Sequence, residues 1–152
     1  DPVWRIPAAR MKMKVEHLVP LSRQAVEVLA RVKVLSGRSR YLFPVAGTKK
    51  GVISENRMLD MMYRMGLRGK ATVHGFRGLA STVMNEQTTI DVNGEEIRRF
   101  DSDWVERQLA HVEEDEVRGA YNAAEWIGPR RRMLQWYADW LSAQETLGVV
   151  IG

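Results

Sequence analysis

The sequence contains no cysteine. Disulfides and thiolate metal sites are thereby excluded, and a reducing compartment fits the chain. No apolar run approaches the roughly 20 residues needed to span a bilayer. No secretory leader is visible at the start. The expectation is a cytoplasmic protein without a membrane partner. The opening Asp1-Pro2-Val3 has no initiator methionine, so the further expectation is one domain cut from a longer protein. Acids are scarce at one end. Residues 1–50 hold 11 Lys/Arg against 3 Asp/Glu, a net of +8, whereas residues 101–152 hold 5 against 10, a net of −5. Such a basic half suits a polyanion, because each Lys or Arg placed on a phosphate releases condensed counterions. An ordinary solvated surface explains the charge equally well.

The hydrophobic pattern predicts short strands, then helices. Trp4-Arg5-Ile6 and His17-Leu18-Val19-Pro20 fit a small antiparallel pair joined near Met13-Lys14. Ser22 is a good N-cap for a helix carrying Ala25, Leu29 and Val32 and stopping at Ser36-Gly37. Tyr41-Leu42-Phe43-Pro44 is a short apolar run entering a loop at Gly47–Gly51. A second helix is expected from Ser54 to Gly66. Its Met58, Met61, Met62 and Met65 recur at i, i+3, i+4 and i+7, the spacing of a core-facing stripe. A third helix is expected from about Phe76 to Glu86. Asn93-Gly94 between two strand-like runs predicts a hairpin over 88–99. Residues 101–110 return to helix, with Ser102 or Asp103 as cap and Glu106 placed for a capping box. Another helix is expected from about Glu113, its four acids suited to a helix start. The last helix carries Met133, Trp136, Tyr137, Trp140 and Leu141 on one face. That stripe either covers the domain's own core or docks on a neighbouring protomer. No internal repeat is present.

The chemistry concentrates in two stretches. His74-Gly75-Phe76-Arg77 leads into Ser81-Thr82. Glu106-Arg107-Gln108-Leu109-Ala110-His111 is followed by Val117-Arg118-Gly119-Ala120-Tyr121-Asn122. A lone His or Tyr is usually packing. In combination, His-x-x-Arg, then Leu-x-His, then Tyr resembles the tyrosine recombinase family, the phage-type and genomic-island integrases. Trp4-Arg5-Ile6-Pro7-Ala8, Arg10-Met11-Lys12 and His17-Leu18-Val19-Pro20-Leu21-Ser22 are similar to that family's hairpin region. The resemblance covers nearly the whole chain.

The resemblance implies an α+β, mainly helical fold, the DNA breaking-rejoining catalytic core, with a small antiparallel sheet at the N-terminal end. It implies a C-terminal catalytic-domain fragment over residues 1–152, with 88–99 as a surface insertion. It implies a site-specific recombinase that cuts and rejoins DNA through a covalent 3′-phosphotyrosine, without ATP, metal or cofactor. Tyr121 would be the nucleophile, Arg77 and His111 would hold phosphate oxygens, and His74 would handle a proton or donate a hydrogen bond. Lys12 would protonate the leaving 5′ oxygen, with its neighbour Lys14 not excluded. The partners would be double-stranded attachment sites, other protomers of a synaptic homotetramer, and host or phage DNA-bending proteins. The family also uses an arginine upstream of the hairpin. Neither Arg5 nor Arg10 can replace it by position, so the 152 residues alone are expected to be inactive.

Two other classes remain. A type IB topoisomerase shares the chemistry but needs no second site. A non-catalytic DNA-binding module would use only the basic half. Tyr41, Tyr63 and Tyr137 have no basic motif at the right spacing and read as packing. His17 reads as a packed or solvent-facing strand residue. The histidines are too dispersed to suggest a metal site.

Overall fold

The computed structural model describes residues 2–12, 14–45, 51–110 and 126–146. The chain divides into two compact units, Asp1–Arg23 with Ala80–Gly152, and Gln24–Leu79. It is a mixture of helices and two small antiparallel sheets.

In the first unit, β1 (Val3–Ile6) pairs with β2 (His17–Pro20), with Val3 opposite Pro20 and Ile6 opposite His17. Pro7, with φ −62°, ends β1 and opens a 3-10 turn over Ala8–Arg10. The lysines of the connection therefore lie off the strands. β2 has the buried residues, His17 and Pro20, while Trp4 on β1 stays largely exposed.

Helix α4 (Ser102–Leu109) starts at Asp101, whose side chain accepts from the Asp103 N–H at 2.9 Å. The cap is thus neither Ser102 nor Asp103. Asp101 alone combines an extended backbone, ψ 135°, with an oxygen two residues before the N–H it serves. The helix ends at Ala110, which is left-handed with φ 50°. The last helix, α5 (Ile127–Thr146), lies against β2 and α4.

The core of this unit is Met84, Phe100, Val105 and Met133, flanked by Trp104, Leu109, Leu134, Trp136 and Tyr137. Trp136 meets Phe100 edge-on, with centroids 5.2 Å apart. Tyr137 stacks on Trp140 at 6.0 Å, and burial pushes its phenol pKa up. The apolar stripe of α5 therefore covers the core of its own unit through Met133, Trp136 and Tyr137. Leu141, on the same stripe, is 42% exposed.

The Asn93-Gly94 hairpin is present as β3 (Thr88–Ile90) and β4 (Glu96–Arg98), with Thr88 opposite Arg98. Only Gly94 has positive φ, 82°. The Gly94 N–H donates to Asp91 O at 3.1 Å, and Asp91 Oδ1 accepts from the N–H groups of Asn93 and Glu95. This is a longer, aspartate-anchored turn rather than a type I′ two-residue turn, which would need positive φ at both centres. Those N–H donors lower the Asp91 pKa.

In the second unit, α1 (Arg23–Ser36) ends where Gly37 turns left-handed, φ 57°. Pro44 and Val52 form an isolated antiparallel bridge around the loop. Helix α2 (Arg57–Arg64) begins three residues later than the Ser54 signal suggests, since Ser54 accepts a turn bond from Arg57 N–H. Its methionines are not a core. Met62 is 8% exposed, but Met58, Met61 and Met65 are 43%, 56% and 73% exposed. Helix α3 (Val73–Asn85) starts earlier than expected, and the division between the units falls within it.

Candidate active site

The N-terminal part of α3 carries His74 and Arg77, its second and fifth residues. Spaced three apart, they share one side of the helix. His74 is exposed and Arg77 half-buried. Thr72 fixes where the helix begins, because its Oγ1 accepts from the Gly75 N–H at 2.9 Å. Gly75 suits this cap. A Cβ there would lie 3.3 Å from that same oxygen, tighter than ordinary contact. The His-Gly-Phe-Arg word thus encodes a capped helix start with a base and a forked cation one turn apart.

Lys12 is exposed in the connection between β1 and β2. Lys14, also exposed, is left-handed with φ 50°, and its N–H donates to Met11 O at 3.0 Å. His111 and Tyr121 lie outside the described residues, as does the helix expected from Glu113. The structure therefore brings together His74 and Arg77. It places Lys12 in the other unit.

Sequence reasoning did not single out the polar network behind α4. Arg130, in the first turn of α5, is 0% exposed. Its Nε and Nη2 donate to Gln108 Oε1 at 3.1 and 2.9 Å, and Nη2 also donates to Leu18 O at 2.5 Å. His17 Nε2 lies 3.3 Å from the carbonyl oxygen of Gln108, which accepts its N–H. Burial lowers the Arg130 pKa to about 10, with a further push from Arg107. His17 is held below its ordinary 6.5, mainly by burial and then by the Arg130 charge. The imidazole is therefore neutral at pH 7. The available signal was Gln108 itself, a polar residue inside the motif, together with an arginine run opening an apolar helix.

Among the described residues no three His, Asp or Glu side chains cluster to hold a metal ion, and no helix is long and apolar enough to cross a membrane. A hollow of about 420 Å³ lined by Asp60, Tyr63, Arg64 and Arg68 contains none of the predicted site residues.

The chain is 38% identical over 148 residues to the prophage integrase IntA of Escherichia coli (strain K12), covering 97% of this chain. It is 39% identical over 154 residues to the integrase of Enterobacteria phage P4 and 37% identical over 137 residues to that of Shigella phage Sf6. These cover 91% and 90% of this chain. The chain is a homologue of phage and prophage integrases. It spans 33% of the length of each of these three integrases. No family model and no solved structure matches it. The integrase likeness runs through the hairpin, α3, α4 and α5 alike, since nearly all of the chain is aligned.

Proposed function

We propose that these residues form part of the catalytic domain of a tyrosine recombinase, a site-specific integrase that exchanges DNA strands through a phosphotyrosine. The observation that carries this reading is the His74–Arg77 pair on a capped helix start, in a chain homologous to integrases. A helix start offers a positive dipole end, which favours a phosphate. Arg77 adds a planar fork for two non-bridging oxygens.

In the proposed reaction the Tyr121 oxygen attacks the scissile phosphorus. The bond from phosphorus to tyrosine oxygen forms as the bond to the 5′ oxygen breaks. Lys12 gives its proton to the departing 5′ oxygen, with Lys14 as the neighbouring alternative. The phenol, with an ordinary pKa near about 10, must lose its proton as it attacks. His74 is the base matched to that task. Arg77 and His111 hold the charge developing on the phosphoryl oxygens. Rejoining runs the same steps backwards with a 5′ hydroxyl from another strand, so bond energy is conserved and no ATP is consumed. The substrates are double-stranded attachment sites, brought together by a tetramer of recombinase protomers with accessory DNA-bending proteins. The integrase names of the relatives favour this over the topoisomerase and pure binding readings.

The test uses the full-length protein and a nicked duplex carrying the junction between element and host. Tyr121→Phe should abolish the covalent protein–DNA adduct while binding survives, because only a hydroxyl is lost. Arg77→Ala should slow adduct formation about 100-fold or more, the usual cost of one transition-state donor. An adduct formed by Tyr121→Phe at the wild-type rate contradicts the assignment.

A further inference from the structure

We propose that Arg130 is a positioning residue for strand cleavage: its clasp on Gln108 and Leu18 sets the point at which the chain leaves α4 for His111. The proposal rests on the catalytic reading above and deepens it.

Arg130 joins three elements. It stands on the first turn of α5, its Nε and Nη2 reach Gln108 on the last turn of α4, and Nη2 also reaches the backbone of β2. Gln108 is held twice, by its side-chain oxygen from Arg130 and by its backbone carbonyl from His17. Two residues later the chain turns left-handed at Ala110, φ 50°. A residue with a Cβ keeps that conformation only where its surroundings hold it. The next residue is His111.

The other side is built alike. Trp126 is also left-handed, φ 52°, and its carbonyl accepts the Arg130 N–H at 2.9 Å. The Arg130–Gln108 bonds join the last turn of α4 to the first turn of α5. An in-line attack tolerates little displacement, since an error of about 1 Å can cost on the order of 100-fold in rate.

The location of the cation argues the same way. A guanidinium at 0% exposure loses its hydration, and burial draws its pKa down to about 10. An apolar side chain of that size would fill the space without that penalty. What it could not supply is a forked set of donors reaching two other elements at once.

The experiment measures single-turnover adduct formation by the full-length protein on the nicked junction duplex, with DNA affinity and thermal melts measured in parallel. Arg130→Gln, too short to span Gln108 and Leu18, should slow cleavage about tenfold or more while the Kd for the duplex stays within about twofold. Gln108→Glu keeps an oxygen for the guanidinium and should cleave within about threefold of wild type. A purely structural role would not separate rate from affinity in this way. Arg130→Gln cleaving at the wild-type rate would overturn the proposal. Should Arg130→Gln fail to melt cooperatively, Gln108→Met decides, because it leaves the bond to Leu18 and removes only the clasp on α4. Slow cleavage with unchanged binding by that variant supports the proposal; wild-type cleavage, or loss of folding there too, overturns it. If the wild-type protein forms no adduct, the catalytic reading itself fails, and the proposal with it.

Discussion

Helices α2 and α5 carry large apolar residues at the same intervals and dispose of them differently. In α2 the methionines at 58, 61, 62 and 65 leave only Met62 buried. In α5 the residues at 133, 136, 137 and 140 include a fully buried Met133, a Trp136 set edge-on to Phe100, and a Tyr137 stacked on Trp140. Equal periodicity therefore marks an amphipathic helix in both, but not what lies over its apolar face. For α5 the cover is supplied within its own unit by Met84, Phe100 and Val105. For α2, Met62 is the only buried hydrophobic residue of its unit among the described residues.

Stability measurements can sharpen that contrast, beginning with the largest effect. Met133→Ala should lower stability by about 2–5 kcal/mol, the usual range for emptying a packed methionine site. A urea melt of the chain reads it directly. A loss below about 1 kcal/mol would mean that the α5 stripe is no better packed than that of α2. Next in size is the cap of α4. Asp101→Ala should cost about 0.5–2 kcal/mol by removing the acceptor for the Asp103 N–H. Ser102→Ala should cost much less, and the reverse order would restore the cap to Ser102.

The third effect is pH dependence around β2. His17 is buried neutral, with a pKa below 6.5 in the folded chain. As pH falls below 6.5, the unfolded chain takes up a proton that the folded chain resists. Stability is therefore full above that value and declines as pH drops towards the lowered folded pKa. His17→Gln should flatten this part of the profile. An unchanged slope between wild type and variant would place the dependence elsewhere. The smallest effect belongs to α2. Met65→Ala, at a site 73% exposed, should stay within about 0.5 kcal/mol of wild type.

What the sequence made legible follows from the range of each interaction. Strands β1 and β2, the end of α1 at Gly37 and the hairpin at Asn93-Gly94 are set by neighbours within a few residues, and all three are present. The turn in that hairpin differs because the Asp91 side chain supplies a third set of bonds that the Asn-Gly pair does not announce. Helix α3 starts before its apolar pattern does, since Thr72 captures the Gly75 N–H. Within the site, His74 and Arg77 are one turn apart as their spacing implies. The Arg130 clasp is not legible in the sequence because Leu18, Gln108 and Arg130 are distant in the chain. Periodicity carries no information about a side chain that crosses three elements.

The proposed nucleophile, Tyr121, would become covalently joined to DNA. Peptide mapping of the adduct tests it most directly. The full-length protein is trapped on the nicked junction duplex and digested with protease and nuclease, and the modified residue is read by mass spectrometry. A nucleotide phosphate on Tyr121 is the expected result. A phosphate on Tyr41, Tyr63, Tyr137 or a serine, or an active preparation with no covalent DNA at all, would contradict it.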